Sequence, residues 1–334
     1  MMNGQVTLRL LYEMQNNLRL KEALKAKLAR FELLDSWILY KLRSGNDKDA
    51  QLEHIADITS CTATDFGPEW KNCNIPITSS VSDQAAALFG SQCFTKGDVK
   101  VTIGTGAFLD LITGERCYAS LKGMYPLVAW QFDEPIFCVE GAAHDMGTVI
   151  DWGQNCGLFA EPSVSSRIAE SVTDTNGVFF VPAFSGIGPI NDHKAASGFI
   201  GITPSTKREH LIRALLESIV FRLVQLSETA EKETGQKLKI LKLDGGVSRN
   251  NFVCQFLADA SGIHVERASN PESSVMGATY AAGINMGLWK TFNDVIKFRD
   301  VECVFEPNRE NFLVIRERMN TWLKAINRFG VWYS

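Results

Sequence analysis

Hydrophobic positions along this 334-residue chain follow two different periods. In residues 5–43 apolar side chains recur at helical spacing, with Leu24 and Leu28 on one face. Residues 46–75 are polar and weakly patterned. From residue 99 onward, short apolar runs typical of strands alternate with longer segments of helical period. We therefore predict a helical N-terminal segment followed by an α/β domain.

The pattern in the second part of the chain predicts individual elements. The predicted strands are 99–103, 108–113, 125–130, 136–139, 178–184, 238–243 and 263–266. The predicted helices are 143–157, 208–233, one that begins near Asn250, 275–284 and 309–328. Strands alternating with helices indicate an open α/β sheet, which binds its ligands at the carboxyl ends of the strands.

Composition and charge narrow the function classes. The net charge is −4 and the 34 basic residues do not form a block, which argues against a nucleic-acid partner. The eight cysteines lie far apart without a Cys-x-x-Cys pair, so we expect reduced thiols in a cytoplasmic protein. The five histidines are isolated, which argues against a metal site built from side chains. We expect neither a signal peptide nor a membrane span.

Two short motifs point to phosphoryl transfer. Gly104-Thr105-Gly106 joins two predicted strands, and glycines flanking a threonine let backbone N–H groups approach a phosphate closely. Asp83, upstream of this turn, is suited to accept the proton of a substrate hydroxyl. Each motif also has a purely structural interpretation, because Gly-Thr-Gly is common in hairpin turns and Asp is common at helix N-termini.

A second glycine pair follows a later predicted strand. Asp244-Gly245-Gly246 lies between that strand and the helix near Asn250, where an open sheet binds a nucleotide. A plain strand–helix turn is the alternative interpretation. No Gly-Lys-Ser/Thr follows and the G-x-G-x-x-G spacing is absent, so this is neither a Walker loop nor a dinucleotide fingerprint.

These motifs belong to an ordered series that resembles a known family, the FGGY carbohydrate kinases and, within them, the glycerol kinases. The matching segments are Ser82 to Gly90, Lys100 to Phe108, Glu140 to Trp152, Ser197 to Glu217, Asp244 to Phe252 and Ser274 to Gly283. Gly97 to Lys100 and Phe108 to Asp110 are most similar to the divergent branch called glycerol kinase 5. The resemblance implies an actin-like, ribonuclease-H-type ATPase fold of two lobes.

The resemblance also implies residue roles, an ATP and Mg²⁺ requirement and a small polyol substrate, with glycerol as the default. Asp83 matches the catalytic base, Gln84 a substrate-contacting amide and Phe108 a residue that packs on the substrate carbons. The positions matching the nucleotide site are Gly104, Thr105, Gly106, Gly147, Asp151, Gly245, Gly246 and Asn250. Asp151 stands where glycerol kinases have a glutamine near the adenine.

The resemblance divides the chain into residues 1–90, a remnant of the FGGY N-terminal domain, and 91–334, the nucleotide-binding C-terminal domain. No glycine lies between Gly4 and Gly45, so the family's Asp-x-Gly-Thr loop has no counterpart. Three hypotheses stay open: a polyol kinase, an inactive pseudo-kinase that binds nucleotide or a partner, and an actin-like module of unrelated function. A shortened N-terminal lobe would expose apolar surface, so we also expect self-association into a homo-oligomer.

Overall fold

The computed structural model of this protein describes residues 79, 81–187 and 193–333. The helix expected over residues 5–43 lies outside the described residues. Contacts group Val81–Ser334 into one compact unit. The expected domain boundary at residue 90 stays a prediction.

The described residues form α-helices and β-strands that we number in chain order. The helices are α1 Asp83–Gly90, α2 Met146–Asn155, α3 Pro162–Glu170, α4 Arg208–Thr234, α5 Asn251–Ser261, α6 Ser273–Asn285, α7 Phe292–Ile296 and α8 Arg309–Phe329. The strands are β1 Val99–Ile103, β2 Ala107–Gly114, β3 Tyr125–Gln131, β4 Pro135–Ala143, β5 Phe179–Val181, β6 Gly198–Ile200, β7 Ile240–Asp244, β8 His264–Ala268 and β9 Val301–Phe305. A 3₁₀ turn, Gly246–Arg249, connects β7 to α5.

Within the described part of the chain, a seven-stranded sheet has the order β3-β4-β2-β1-β7-β8-β9. Strands β1, β7 and β8 run parallel to one another, and the remaining neighbours are antiparallel. The register pairs Lys100 with Asp110 across β1 and β2, and Asp110 with Glu140 across β2 and β4. Directly paired residues project from the same face, so these three side chains form a row across the sheet.

The first face of the sheet is covered by the long helix α4 and by α5. Apolar residues of α4 recur at helical spacing, and Leu215, Ile219 and Leu223 are almost completely buried against the strands. The helix ends where Gly235 adopts a left-handed conformation with φ of 69°, which residues with a side chain rarely adopt. Burial of this stripe, rather than helix propensity alone, stabilises α4.

The second face is covered by α1 and α6, which pack unusually close together. A Cβ added at Gly277 would lie 1.8 Å from the carbonyl oxygen of Ala86, and one at Gly90 would lie 1.9 Å from that of Ser273. Only glycine permits this contact between backbones. The contact fixes α1, and therefore Asp83 at its first turn, against the sheet.

The structure confirms an α/β fold and most predicted elements, with differences that have physical causes. The run 178–184 contains a strand of three residues only, and the helix expected over 143–157 begins at Met146 because Ala143 still belongs to β4. Elements that the apolar pattern did not predict are α1, α3, β6, α7 and β9. They are short or half-exposed, so their apolar residues show no clear period.

Candidate active site

A cavity of about 490 Å³ opens where the turns that follow β1 and β7 meet the first turns of α2 and α3. Its described lining residues are Gly104, Thr105, Gly147, Ile150, Asp151, Pro162, Ser163, Ser165, Gly246, Val247, Arg249 and Asn250. Six of these were expected at the nucleotide site: Gly104, Thr105, Gly147, Asp151, Gly246 and Asn250. The cavity lies at the carboxyl ends of two parallel strands, where open α/β sheets bind ligands.

The Gly104–Gly106 segment forms the hairpin turn between β1 and β2. The N–H of Gly104 donates to the carbonyl of Gly106 at 2.8 Å, and Thr105 is exposed at the tip. The N–H of Gly147, in the first turn of α2, donates to the carbonyl of Thr105 at 2.9 Å. A Cβ at Gly147 would lie 2.4 Å from the Gly104 oxygen, so glycine is required for this contact.

The two glycines after β7 have different surroundings. Gly245 has φ of 86°, and a Cβ there would lie 2.6 Å from the carbonyl oxygen of Ile103. Gly245 therefore allows the ends of β1 and β7 to lie close together, and it does not line the cavity. A Cβ at Gly246 would have no neighbour within 4 Å, and Gly246 does line the cavity. Its missing side chain leaves space for a ligand rather than for protein atoms.

Asn250 connects two walls of the cavity. Its Oδ1 accepts the N–H of Val253 at 3.1 Å and caps α5, while its Nδ2 donates to Oγ of Ser165 in α3 at 3.0 Å. Ser165 is fully buried, whereas Asp151 and Arg249 are exposed and are the two ionisable side chains among the described lining residues. The lining is therefore mostly backbone and neutral side chains.

Asp83, Gln84 and Phe108 lie outside the lining of this cavity, as do Gly106 and Gly245. Asp83 is exposed at the start of α1, and its backbone carbonyl accepts a hydrogen bond from Ser274 Oγ at 3.1 Å. Phe108 is half-buried and pairs in register with Thr102. It projects from the second face of the sheet, two residues before Asp110.

A buried row of charges lies beside Asp83 and Gln84. Lys100 Nζ contacts Asp110 Oδ2 at 3.0 Å, and both side chains are essentially inaccessible to solvent. Burial raises the pKa of the Asp110 carboxyl, although Lys100 opposes the rise. Burial and the neighbouring Asp110 raise the pKa of Glu140 to about 7, and Asp83 adds a smaller contribution in the same direction. Asp110 and Glu140 pair directly across β2 and β4, so a proton on one of the two carboxyl groups relieves the repulsion between them.

Two buried side-chain oxygens without a hydrogen-bond partner lie near the ends of β1 and β7, the strands whose following turns line the cavity. They are Oδ1 of Asp244 and Oγ1 of Thr102, which are paired across the parallel strands β7 and β1 just before their turns. Hard oxygen atoms of this kind suit Mg²⁺, which usually keeps several waters and binds mainly to nucleotide phosphates. Among residues 81–187 and 193–333, no cluster of three or more His, Cys, Asp or Glu side chains is placed to hold a metal.

Sequence reasoning missed the α3 wall of the cavity. Pro162 begins that helix, and Ser163 and Ser165 line the cavity, but the local sequence is rich in serine and lacks an apolar period. A proline followed by polar residues is nevertheless a helix-start signal, because proline is favoured in the first turn. That signal could have identified α3.

The seven-stranded sheet, the glycine turns at its strand ends and the cavity beside them belong to the actin-like ATPase fold. The profile of the FGGY family of carbohydrate kinases, C-terminal domain, matches residues 99–286. This chain belongs to the FGGY family of carbohydrate kinases. Among the described residues, no helix is both long and apolar enough to cross a membrane.

Similar proteins within the family include several named glycerol kinases. Glycerol kinase 5 of Bos taurus is 36% identical over 361 aligned residues, which cover 98% of this chain and 68% of that protein. Glycerol kinase of Thermoanaerobacter sp. (strain X514) is 39% identical, covering 77% of this chain and 52% of that protein. The crystal structure of Plasmodium falciparum glycerol kinase with ADP superposes with a TM-score of 0.83 at 28% identity, covering 96% of this chain and 71% of that one.

Proposed function

We propose that this protein transfers the γ-phosphoryl group of ATP to a hydroxyl of a small polyol, most simply glycerol to give glycerol 3-phosphate. The observation that carries the proposal is the cavity in which Gly104, Gly147 and Gly246 bring three backbone segments together. Such backbone-lined space at strand ends suits a nucleotide. The names of the similar glycerol kinases support the choice of glycerol.

In the proposed reaction, a substrate hydroxyl attacks the γ-phosphorus of ATP. The new P–O bond forms as the bond to the β,γ-bridging oxygen breaks, and ADP leaves. Asp83 accepts the hydroxyl proton, and Gln84 and Phe108 contact the polyol. Asp83 is exposed at the first turn of a helix that is held against the sheet, so it can reach a substrate while its backbone stays fixed.

In the proposed site, Thr105 and the N–H groups of its turn face the phosphates. Gly246 and Asn250 line the nucleotide pocket, and Asp151 lies at the position nearest the base. Mg²⁺, when bound with the nucleotide, supplies positive charge that neutralises the phosphates. The unpartnered oxygens of Asp244 and Thr102 are the protein groups that would hold its water shell.

A coupled assay for ADP production with glycerol, together with calorimetric titration of ADP, tests the proposal. We expect glycerol-dependent ADP production and saturable ADP binding by the full chain. Binding of ADP without turnover on glycerol or other small polyols would favour the pseudo-kinase hypothesis instead. We further propose a cytoplasmic location, consistent with the six free cysteines among the described residues.

A further inference from the structure

The buried side chain of Lys100 connects the charged row to Gln84. Its Nζ donates a hydrogen bond to Gln84 Oε1 at 2.8 Å, and Lys100 is completely buried in β1. The same Nζ lies 3.0 Å from Oδ2 of Asp110, and this contact pairs two buried charges. One buried ammonium group therefore contacts both Gln84 and Asp110.

This hydrogen bond fixes which way the Gln84 amide points. A lysine ammonium has donors only, so Gln84 must present its carbonyl oxygen to Lys100. The Nε2 group then lies at the other end of the amide, away from the buried ammonium, in a residue that is itself only half-buried. Gln84 consequently offers N–H donors to whatever binds beside Asp83.

The charges around Lys100 keep it in place without a net buried charge. Asp110 and Glu140 pair directly across β2 and β4, and the raised pKa of both carboxyl groups favours a state with one proton and one negative charge between them, opposite the positive charge on Lys100. Lys242 pairs with Lys100 across β7 and β1. Its Nζ donates a hydrogen bond to the carbonyl of Gln92 at 2.8 Å. Compensated charges of this kind can stay buried, whereas an unpaired one is strongly disfavoured.

We propose that Lys100, held by Asp110, is a positioning residue that orients Gln84 to donate hydrogen bonds to a substrate hydroxyl beside Asp83. The inference rests on the proposed function and deepens it. The group that binds there must accept from Gln84 and donate to Asp83, and a hydroxyl does both. An ammonium in place of that hydroxyl donates only, so amino analogues of the substrate bind poorly.

Steady-state kinetics of a double-mutant cycle test the inference. Lys100→Met combined with Asp110→Asn removes the ammonium without leaving an unpaired buried charge; Gln84→Ala removes the amide. We expect each change to raise the KM for the polyol by roughly 3- to 10-fold, the worth of one hydrogen bond, with kcat and ADP affinity unchanged. Because both changes remove the same contact, combining them adds nothing further. Lys239→Met, at an exposed lysine, is the matched control.

Two kinetic outcomes overturn the inference. One is an unchanged KM in the Lys100→Met, Asp110→Asn protein. The other is a combined protein whose KM rises by the product of the separate factors, because independent effects would then act on substrate binding. A parallel loss of ADP affinity would show general disruption of the domain and would also contradict a positioning role.

A measurement without turnover separates this inference from the proposed function. In protein labelled with ¹⁵N-glutamine, the side-chain amide signal of Gln84 is the one that Gln84→Ala removes. We expect it to shift in the Lys100→Met, Asp110→Asn protein and to stay in place in Lys239→Met. A Lys100-dependent signal in a protein that phosphorylates no polyol would overturn the proposed function and keep the Lys100–Gln84 connection. Polyol phosphorylation with a Lys100-independent signal would overturn the inference alone.

Discussion

The glycine-lined cavity and the charged row beside Asp83 occupy neighbouring parts of one sheet but differ in composition. The cavity is formed by glycine turns and neutral side chains, with Asp151 and Arg249 as its ionisable lining residues among those described. The row consists of ionisable side chains, the buried Lys100 and Asp110 and the half-buried Glu140. A region built from backbone is sensitive to added volume, whereas one built from buried charges is sensitive to changes of charge.

The largest expected effect comes from a change of charge without a change of volume. Asp83→Asn should lower kcat by about 10²- to 10⁴-fold, because it removes the general base of the proposed reaction. ADP affinity, measured by calorimetry, should stay the same because Asp83 does not line the cavity. Undiminished kcat in this protein would contradict the proposed role of Asp83.

A change of volume without a change of charge tests the cavity. Gly246→Val should weaken ADP binding by roughly 5- to 150-fold, equivalent to about 1–3 kcal/mol of overpacking against the ligand. The unliganded protein should unfold at an almost unchanged temperature, because a Cβ at Gly246 has no protein atom within 4 Å. Equal ADP affinity in the two proteins would show that the nucleotide binds elsewhere.

The adjacent glycine should behave in the opposite way. Gly245→Ala places a side chain at φ of 86° and 2.6 Å from the Ile103 oxygen. The backbone conformation alone costs about 1–3 kcal/mol, and the steric contact adds to that. Denaturant unfolding should therefore show a clear loss of stability for Gly245→Ala and little loss for Gly246→Ala. Equal losses would contradict the separation of structural and ligand-facing glycines.

The smallest expected effect concerns pH. The pKa of Glu140 is raised in the folded state to about 7 from 4.5, so between these values the folded protein binds more protons than the unfolded chain. Its burial therefore destabilises the fold increasingly as pH rises through this window. The free energy of unfolding of Glu140→Gln minus that of the unsubstituted protein should be more positive at pH 8 than at pH 5, because the variant does not lose this stability as pH rises. A pH-independent difference would show that Glu140 titrates normally.

The sequence predicted the elements whose formation depends on local residue patterns. The ends of α4 and α8 and the β1–β2 hairpin follow from apolar spacing and from the Gly104–Gly106 turn. The pairing of Lys100 with Asp110 could have been counted outward from that turn. The proximity of Glu140 could not, because it depends on how β4 pairs with β2 across a long connection. The sequence did not predict helix α3, which forms one wall of the cavity, because packing rather than an apolar period determines its position.

The most direct test of the account is calorimetric titration of ADP into the full chain and into Gly246→Val. We predict saturable binding at one site per chain, with affinity reduced by roughly 5- to 150-fold in the variant and thermal stability of the free protein preserved. Absence of ADP binding by the unsubstituted chain, or identical affinity in the two proteins, would contradict the assignment of the glycine-lined cavity to a nucleotide.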